Sequence, residues 1–342
     1  MQTLVTPASP EAIRQAGQLL RQGQIAAIPT ETVYGIAADA QNGGAVGKIF
    51  AAKGRPQDNP LIAHIDSLAM LDGLAAPLPD PLAGQVQALA AAFWPGPLTV
   101  ILPRGPAVAD EVCAGLDTVA VRMPSHPVAR AVIAACGRPL AAPSANRSGS
   151  PSPTTAADVL ADMDGRLPLI LDGGACEVGV ESTVVTLVGA PTLLRPGFIT
   201  REQLAAVLKT PVALSPAILE KLREGETARS PGMKYKHYAP RAEVTILQGG
   251  LEAFAAYAAA HGRPGDYCLC FAGEQASLPL PCVAYGRAGH PEEQARALFR
   301  ALRALDEAGA VRAFARCPGQ DGVGLAVYNR LLRAAAFRVV KL

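Results

Sequence analysis

The sequence is poor in aromatic and charged residues, and both shortages limit what the chain can be. Aromatic residues make up 5% of its 342 residues and charged residues 18%, against about 25% charged residues in an average soluble domain. The charges nearly cancel, to a formal net charge of +2. A dedicated nucleic-acid-binding surface needs a strong basic excess on one face. The composition therefore argues against such a surface and leaves only transient contact with RNA open.

Targeting and membrane-spanning segments are also missing from the sequence. The N-terminal residues MQTLVTPASPEAIRQ lack the apolar segment of a signal peptide, and no apolar run approaches the roughly 20 residues of a membrane span. The seven cysteines are odd in number and scattered, which indicates reduced thiols rather than a disulfide framework. Cys268 and Cys270 share one face of a predicted strand, where core packing is favoured over metal binding. We therefore expect a cytoplasmic protein without a membrane partner.

Common catalytic and metal-binding motifs are absent as well. The sequence contains no HExxH, no GxSxG and no spaced quartet of cysteines and histidines, and its five histidines are dispersed. We expect no protein-held metal.

Two segments resemble nucleotide-binding loops only in part. NGGAVGKIF has Asn42 and Ile49 where a P-loop needs glycine and a hydroxyl residue, and GVGLAV has Val327 at the third glycine of a dinucleotide-binding fingerprint. For the second segment, a tight turn between a strand and a helix is the favoured interpretation.

What the sequence does contain predicts an α/β protein with two domains. Half of the residues are hydrophobic, and the length suggests about two domains. Short apolar, β-branched segments such as TVAVRM and LPLILD alternate with helical segments, one of them near residues 127–136, over residues 1–209. This alternation predicts a largely buried sheet. Residues 210–241 contain four prolines, at positions 211, 216, 231 and 240, and are interpreted as an interdomain linker. The alternation resumes over residues 242–342, which predicts a smaller α/β domain.

The most informative segment is KGRPQDNP, at residues 53–60. Lys53 and Arg55 flank a glycine at the start of a proline-containing loop, and a strand-like segment that carries His64 follows. Two cations held on a rigid loop suit phosphate oxygens, because arginine offers a planar pair of donors and lysine a point charge. A solvated basic turn is the alternative for this segment, and the octapeptide alone does not decide between the two.

Similar polar clusters recur beside other predicted strands. PTETVYG, at residues 29–35, has two interpretations. If the preceding strand continues, its two threonine hydroxyls share one face; otherwise the motif supplies the N-cap of a following helix. PSANRSGSPSPT, at 143–154, can offer amides and hydroxyls to an anion, although an ordinary loop is favoured for it alone. DGGACEVGVESTVV, at 172–185, has glycines that permit close approach of a ligand. Arg195, in LLRPG, is either an anion contact or a surface residue.

Taken together, these motifs resemble those of the threonylcarbamoyl-AMP synthases in their two-domain form. PTETVYG, KGRPQDNPL, FWPGPLTV, VRMPSHP, PSANRSG, DGGACEVGVESTVV, LLRPG and SPGMKYKHYAP follow one another in family order. GVGLAVYNRLLRAA resembles the end of the family's second domain, so the resemblance covers nearly the whole chain. One departure is Thr186, where the family pattern has an acidic residue. Thr186 follows the binding residues in sequence, so this departure puts little of the resemblance in doubt.

The resemblance implies a fold, a reaction and a set of site residues. The implied fold is a twisted, mixed open sheet with a concave, positively charged face, followed by a Rossmann-like domain. The implied enzyme condenses L-threonine, bicarbonate or carbon dioxide, and ATP carrying Mg²⁺ into threonylcarbamoyl-AMP and pyrophosphate. By matching motif, the threonine contacts are Thr32, His64, Arg122, Ala142 through its backbone, and Ser182. The ATP contacts are Arg55, Asn59, Thr118, Ser144, Ser152, Arg195 and Tyr235, and Lys53 joins Arg55 as a catalytic cation near the phosphates.

The resemblance also implies partners and a moving part. The product feeds the threonylcarbamoylation of the adenosine beside the tRNA anticodon, through a tRNA threonylcarbamoyl transferase complex. Tyr235, in the predicted linker, resembles a residue that closes over the ATP.

Two other classes of protein stay open. One is an RNA-binding module without catalysis. The other is a carbamoyl-adenylate-forming maturation factor, although such proteins carry zinc-finger and acylphosphatase-like segments that this sequence lacks.

Overall fold

Strands and helices alternate along the chain, as the sequence predicts. The structure, a computed structural model, describes residues 2–220 and 238–342. In the first region the strands are β1 (Leu4–Pro7), β2 (Ala26–Ile28), β3 (Gly35–Asp39), β4 (Ile62–His64), β5 (Leu98–Pro103), β6 (Thr118–Arg122), β7 (Leu140–Ala141), β8 (Leu169–Asp172), β9 (Thr183–Thr186), β10 (Thr192–Arg195) and β11 (Ala213–Leu214). The helices are α1 (Pro10–Arg21), α2 (Gly43–Lys53), α3 (Leu82–Phe93), α4 (Asp110–Cys113), α5 (Pro127–Cys136), α6 (Ala156–Met163) and α7 (Arg201–Leu208).

The strands of this first region form one mixed sheet. Its eleven strands lie in the order β1-β8-β2-β3-β7-β4-β6-β5-β9-β10-β11. Parallel pairs such as β4 with β6 and β5 with β9 alternate with antiparallel pairs such as β4 with β7 and β5 with β6. Mixed pairing brings the ends of β4, β6, β9 and β10 into one area. Polar residues that are distant in sequence meet there.

The second region has its own sheet, which is wholly parallel among the pairs described. Its strands are β12 (Glu243–Gln248), β13 (Asp266–Cys270), β14 (Cys282–Ala284), β15 (Arg312–Arg316) and β16 (Val339–Lys341), in the order β14-β13-β15-β12-β16. Its helices are α8 (Leu251–His261), α9 (Pro291–Glu307) and α10 (Gly322–Ala334). The predicted α/β class, with a mixed sheet and a smaller Rossmann-like parallel sheet, is confirmed.

Local sequence signals explain where several helices begin and end. Ser9 caps α1 by accepting a hydrogen bond from the amide of Ala12 at 3.2 Å, and Pro10 fills the first helical position. Asn42 caps α2 in the same way, through the amide of Ala45 at 3.1 Å. The residue that disqualified NGGAVGKIF as a phosphate-binding loop therefore has a structural role, since it begins a helix.

The two regions pack directly against each other. Val33 and Val180 of the first region belong to the same buried apolar cluster as the helices and strands of the second. Arg303 of α9 contacts Asp162 at 2.9 Å and the carbonyl of Pro151 at 2.5 Å. Within the described parts of the chain, no helix is long and apolar enough to cross a membrane.

Candidate functional site

Most of the polar residues that the motifs singled out meet in one cleft of the first region. The cleft contains about 660 Å³ of space between its walls, part of it open solvent. Its wall brings together strand ends that are distant in sequence. The residues from the motif-based set that line it are Thr32, Lys53, Arg55, His64, Arg122, Ala142, Ser144, Ser182 and Arg195.

Lys53 and Arg55 are placed by the end of α2. The helix ends at Gly54, whose φ of 62° is in the left-handed region that glycine adopts without a steric cost, and the chain turns there. The ammonium of Lys53 donates to the carbonyls of Ser144 and, at 2.7 Å, Asn146. Burial and then the charge of Arg55 lower the pKa of Lys53. Lys53 is only 4% exposed, so the solvated-turn alternative is wrong for this residue.

Arg55 extends from the loop that follows α2. Its Nη2 donates to the carbonyls of Asn59 at 3.2 Å and Pro60 at 3.3 Å, which braces the guanidinium against its own loop. Asn59 is 1% exposed, and neither atom of its side-chain amide has a hydrogen-bond partner within residues 2–220 and 238–342. A buried amide without partners is costly unless a ligand or water satisfies it. The loop therefore offers a polar group that a ligand can engage.

Arg122 and His64 end the neighbouring strands β6 and β4, where they are register partners. Arg122 Nη1 donates to Thr32 Oγ1 at 2.9 Å, and its Nη2 lies 2.7 Å from Glu31 Oε1. Burial, and then the charge of Arg122, lower the pKa of His64 to about 3, so its ring is neutral at physiological pH. Burial alone would raise the pKa of Glu31, but Arg122 outweighs it and the pKa is lowered. This part of the wall is a buried guanidinium with a hydroxyl and an ionised carboxylate beside it.

The two threonine hydroxyls of PTETVYG lie together, although the strand that was expected to place them on one face ends at Ile28 and residues 31–33 form a bend. Thr30 Oγ1 and Thr32 Oγ1 are 2.9 Å apart. The alternative, that this motif caps a helix, is wrong, because the next element is the strand β3. The other loop, 143–154, combines both of its interpretations. Its first half lines the cleft, and its end leads into α6, which Thr155 caps.

Arg195 and Ser182 form the opposite side of the cleft. Arg195 Nε donates to the Ser182 carbonyl at 3.0 Å and Nη2 to Ser182 Oγ at 3.0 Å. Ser182 Oγ is also 2.7 Å from Thr99 Oγ1. Burial lowers the pKa of Arg195 to about 10, so the guanidinium stays charged at neutral pH. At 7% exposure, Arg195 is not the surface residue that the sequence left open as an alternative.

Glu181 is a cleft residue that the sequence did not single out. Its Oε1 accepts from Ser152 Oγ at 2.5 Å, and its Oε2 accepts from Arg330 Nε at 2.7 Å. Burial acts to raise the pKa of Glu181, and Arg330 and Arg195, with the hydrogen bond from Ser152, outweigh it and lower the pKa. The carboxylate is therefore ionised and engaged on both oxygens.

Three other predicted contacts are not part of the described lining of the cleft, and a fourth is not among the described residues. Ser152 is fully buried behind Glu181. Thr118 begins β6 and, by strand alternation, shares the sheet face of Arg122. Asn59 is buried in the loop after α2. Tyr235 lies outside the described residues.

Other residues of the site escaped the sequence analysis. Glu31 stands inside the PTETVYG motif, but only the threonines were considered as contacts. Asn146 accepts from Lys53 and orders the loop by donating to the carbonyls of Arg147 at 2.8 Å and Ser150 at 2.7 Å. Tyr238 lines the cleft, and its place inside the SPGMKYKHYAP motif was the available signal. Arg330 lies inside GVGLAVYNRLLRAA, but that motif was interpreted only as a strand-to-helix turn and the end of the second domain, so it gave no signal for the cleft.

The chemistry of the cleft suits an anionic ligand. Lys53, Arg55, Arg122 and Arg195 line it, and Glu181 is the carboxylate on its wall. Among the residues that the structure describes, no group of three or more His, Cys, Asp or Glu side chains is arranged to hold a metal ion. A phosphate-bearing molecule fits this donor set better than a directly protein-bound cation does.

The chain is similar to known proteins over nearly its whole length. A family model described as "Telomere recombination" matches residues 18–197, and one described as "Threonylcarbamoyl-AMP synthase, C-terminal domain" matches residues 199–336. Threonylcarbamoyl-AMP synthase of Bacillus subtilis is 44% identical, over 96% of this chain and 94% of the relative. That of Pyrococcus abyssi is 43% identical, over 96% and 95%.

A solved structure of P. abyssi Sua5 in complex with L-threonine superposes with a TM-score of 0.89 at 41% identity, and the match covers 100% of this chain and 99% of that one. The likeness in fold therefore extends over both sheets. The chain belongs to the threonylcarbamoyl-AMP synthase family and is an enzyme of that type.

Proposed function

We propose that this chain condenses L-threonine, bicarbonate or carbon dioxide, and ATP into threonylcarbamoyl-AMP and pyrophosphate. The observation that carries the proposal is the cleft itself. It gathers buried arginines, a lysine and several hydroxyls where strands β4, β6 and β9 approach one another. These groups match a ligand pair made of a polyphosphate and a small hydroxylated amino acid.

The threonine subsite lies around Arg122. Its guanidinium binds the substrate carboxylate, since arginine and carboxylate form two parallel hydrogen bonds. Thr32 and Ser182 supply hydroxyls for the threonine side chain, and neutral His64 and the Ala142 backbone complete the wall. A site that hydrogen-bonds a substrate hydroxyl rejects analogues without it strongly. A relative at 41% identity, P. abyssi Sua5, has been solved with L-threonine bound.

The ATP subsite lies along Arg55 and Arg195. Both guanidiniums face the cleft, as does the Ser144 hydroxyl. The unsatisfied amide of Asn59 is available to the nucleotide, and Thr118 and Ser152 complete the proposed contacts. Mg²⁺ bound to ATP would neutralise part of the phosphate charge, beside Arg55 and Arg195. The contribution of Tyr235 remains a prediction.

The reaction balances without an oxidant or a protein nucleophile. The amine of threonine and carbon dioxide form a carbamate and release a proton. A carbamate oxygen then forms a bond to the α-phosphorus as the bond to pyrophosphate breaks, which yields the mixed anhydride. Such transfers depend on alignment and charge neutralisation. In this cleft Arg55 and Arg195 neutralise the phosphates. Lys53 holds the loop of Ser144 in place through two carbonyls.

The product is a reactive acyl adenylate, so an acyl acceptor must consume it. We propose that the acceptor is the tRNA adenosine next to the anticodon, through a threonylcarbamoyl transferase complex. A near-neutral net charge of +2 fits transient rather than tight contact with tRNA.

Pyrophosphate release by the purified chain tests the proposal. Release should require threonine, bicarbonate and ATP together, and mass spectrometry should find threonylcarbamoyl-AMP. Serine in place of threonine should give much less product. Turnover with carbamoyl phosphate, and none with threonine, would identify a carbamoyl-adenylate-forming enzyme instead. Binding of RNA with a steep salt dependence, and no binding of ATP, would identify an RNA-binding module.

A further inference from the structure

Arg330 is a fully buried arginine of the second region that reaches into the wall of the cleft. It lies on α10 and is 0% exposed. Its Nε donates to Glu181 Oε2 at 2.7 Å, its Nη2 to the Glu181 carbonyl at 3.3 Å, and its Nη1 to the Pro196 carbonyl at 2.9 Å. One side chain from the second region therefore bonds two separate segments of the first.

These two segments carry the proposed substrate contacts. Glu181 immediately precedes Ser182, and Pro196 immediately follows Arg195. Ser182 and Arg195 are themselves bonded through Arg195 Nη2 and Ser182 Oγ at 3.0 Å. The guanidinium of Arg330 therefore holds the two residues, Glu181 and Pro196, that adjoin the bonded pair of Ser182 and Arg195. Through Glu181 Oε1 it also fixes the hydroxyl of Ser152.

We infer that Arg330 is a positioning residue, by which the second region aligns Ser152, Ser182 and Arg195 for the substrates. The inference rests on the proposed function of the cleft. Arg330 touches no reacting atom in this role. It acts through Glu181 and Pro196, and it makes the geometry of the cleft depend on the docking of α10.

The chemistry of this position requires arginine. Its planar fork has five donors, so one side chain can satisfy a carboxylate and two carbonyls at once. A lysine has a single nitrogen and cannot reach Glu181 and Pro196 together. An apolar residue would leave the Glu181 carboxylate buried beside Ser152 without its main counter-charge, and breaking a buried pair in this way is strongly unfavourable.

Other arginines of the second region support the same docking. Arg296 Nε donates to the Glu177 carbonyl at 2.8 Å, close to Glu181 in sequence. Arg303 bonds the Pro151 carbonyl at 2.5 Å, next to Ser152. Both arginines lie on α9, so α9 and α10 hold the segments that flank the cleft. Arg330 differs from both because its contacts flank Ser182 and Arg195 directly.

The test compares Arg330→Met and Arg330→Lys with Arg316→Met in the full-length chain. Arg316 forms a buried ion pair with Glu274 at 3.0 Å inside the second region and serves as a matched control. Steady-state pyrophosphate release gives kcat and KM, and thermal unfolding gives stability. We expect kcat/KM for ATP to fall by about 10- to 100-fold in Arg330→Met, as for a small misplacement of contacts. Arg316→Met should lose stability and keep kcat/KM for ATP.

The division between kcat and KM separates positioning from stability. Loss of folded protein would lower the apparent kcat and leave KM for ATP unchanged. Misaligned Ser152 and Arg195 should instead raise KM for ATP by about tenfold or more. If Arg330→Met does not fold, Arg330→Lys carries the same expectation, because it keeps a positive charge near Glu181 and loses the contact to Pro196.

The pH profile supplies a second readout. Glu181 is faced by Arg330, Arg195, Lys53 and Tyr238, and without Arg330 its pKa rises. Activity of Arg330→Met should therefore fall more steeply than that of the wild type as the pH is lowered, because a protonated Glu181 can no longer serve as the carboxylate acceptor. The double variant Arg330→Met/Glu181→Gln lacks that titrating group and should lose the pH dependence.

Two results would overturn the inference while the proposed function stands. One is a wild-type KM for ATP and a wild-type pH profile in both Arg330 variants. The other is an equal rise of KM in Arg316→Met. A wild-type chain without threonine-dependent pyrophosphate release would instead overturn the proposed function, and the inference with it.

Discussion

The buried pair of Glu31 and Arg122 makes a sharp prediction about charge in the threonine subsite. The two side chains are 5% and 4% exposed, and Arg122 Nη2 lies 2.7 Å from Glu31 Oε1. Arg122 therefore divides its positive charge between Glu31 and any bound carboxylate. Glu31→Gln keeps the volume and removes the charge. We expect the variant to be less stable without threonine and to bind threonine more tightly.

The structure sets the size of both effects. Removing one partner of a buried ion pair costs about 3–5 kcal/mol. Glutamine still offers an acceptor oxygen, and Arg122 keeps its bonds to Thr32 Oγ1 at 2.9 Å and the Gly96 carbonyl at 3.3 Å. A loss of about 2 kcal/mol is therefore expected, because a hydrogen bond from charged Arg122 to the glutamine oxygen recovers about 1.5–3 kcal/mol of that cost. If the threonine carboxylate recovers about 1.4 kcal/mol of this, its dissociation constant falls tenfold.

Chemical denaturation with and without threonine, together with calorimetry of threonine binding, measures both quantities. Asp39→Asn is the control. Asp39 is also buried and paired, with Arg138 at 2.6 Å, but it does not line the cleft. It should leave threonine affinity unchanged. Wild-type stability of Glu31→Gln, or threonine affinity that is unchanged or weaker, would refute the reasoning.

Three further predictions concern the cleft and the contact between the two regions. Arg55→Ala should lower threonine-dependent pyrophosphate release by about 10²- to 10³-fold with an unchanged circular dichroism spectrum, whereas Lys48→Ala on the adjacent helix should stay near wild type. His64 has a folded pKa of about 3 and an unfolded value near 6.5, so stability should rise by about 2 kcal/mol from pH 5 to pH 7.5. Denaturation experiments at both pH values should show a smaller rise in stability for His64→Gln than for the wild type. Gly179→Ala should cost about 2–4 kcal/mol, because φ is 82° and a Cβ would lie 2.4 Å from Arg296 Cα; Gly174→Ala, with φ of 87° and open space, should cost only about 1 kcal/mol.

Each of these can fail in a recognisable way. Near-normal turnover of Arg55→Ala would contradict its contact with the phosphates. The same pH-dependent gain in stability in wild type and His64→Gln would show that His64 is not the buried neutral base. Equal losses at Gly179 and Gly174 would show that the backbone of α9 does not press on Gly179.

Features encoded over a few residues were predictable from the sequence. The helix at residues 127–136 was predicted with the observed bounds, since Pro127 fits its first turn and Gly137, with φ of 67°, ends it. The predicted strand TVAVRM corresponds to β6, and LPLILD to β8. In each case the signal lies inside the element or next to it. The same holds for the loop KGRPQDNP, whose rigid residues surround the side chains they place.

Features that depend on long-range pairing were not predictable. The strand β3, GIAAD, was missed because glycine and alanine carry little strand propensity, and its pairing with β2 and β7 supplies the order instead. The edge strand β1 pairs with β8, which lies more than 160 residues further along the chain. Asn59 and Thr118 lie outside the described lining of the cleft although their motifs matched, because a motif fixes sequence position and not side-chain direction.

Glu181 shows why the two regions cannot be considered separately. Its carboxylate is buried at 6% exposure, and an ionised carboxylate at such a site needs a partner to be stable. Arg195 already bonds Ser182, so the partner that satisfies Oε2 comes from α10. Without docking of that helix, Glu181 must either take up a proton or move into water, and both changes disturb Ser152 and Ser182. The electrostatics of one residue therefore couple completion of the cleft to folding of the second sheet and its helices.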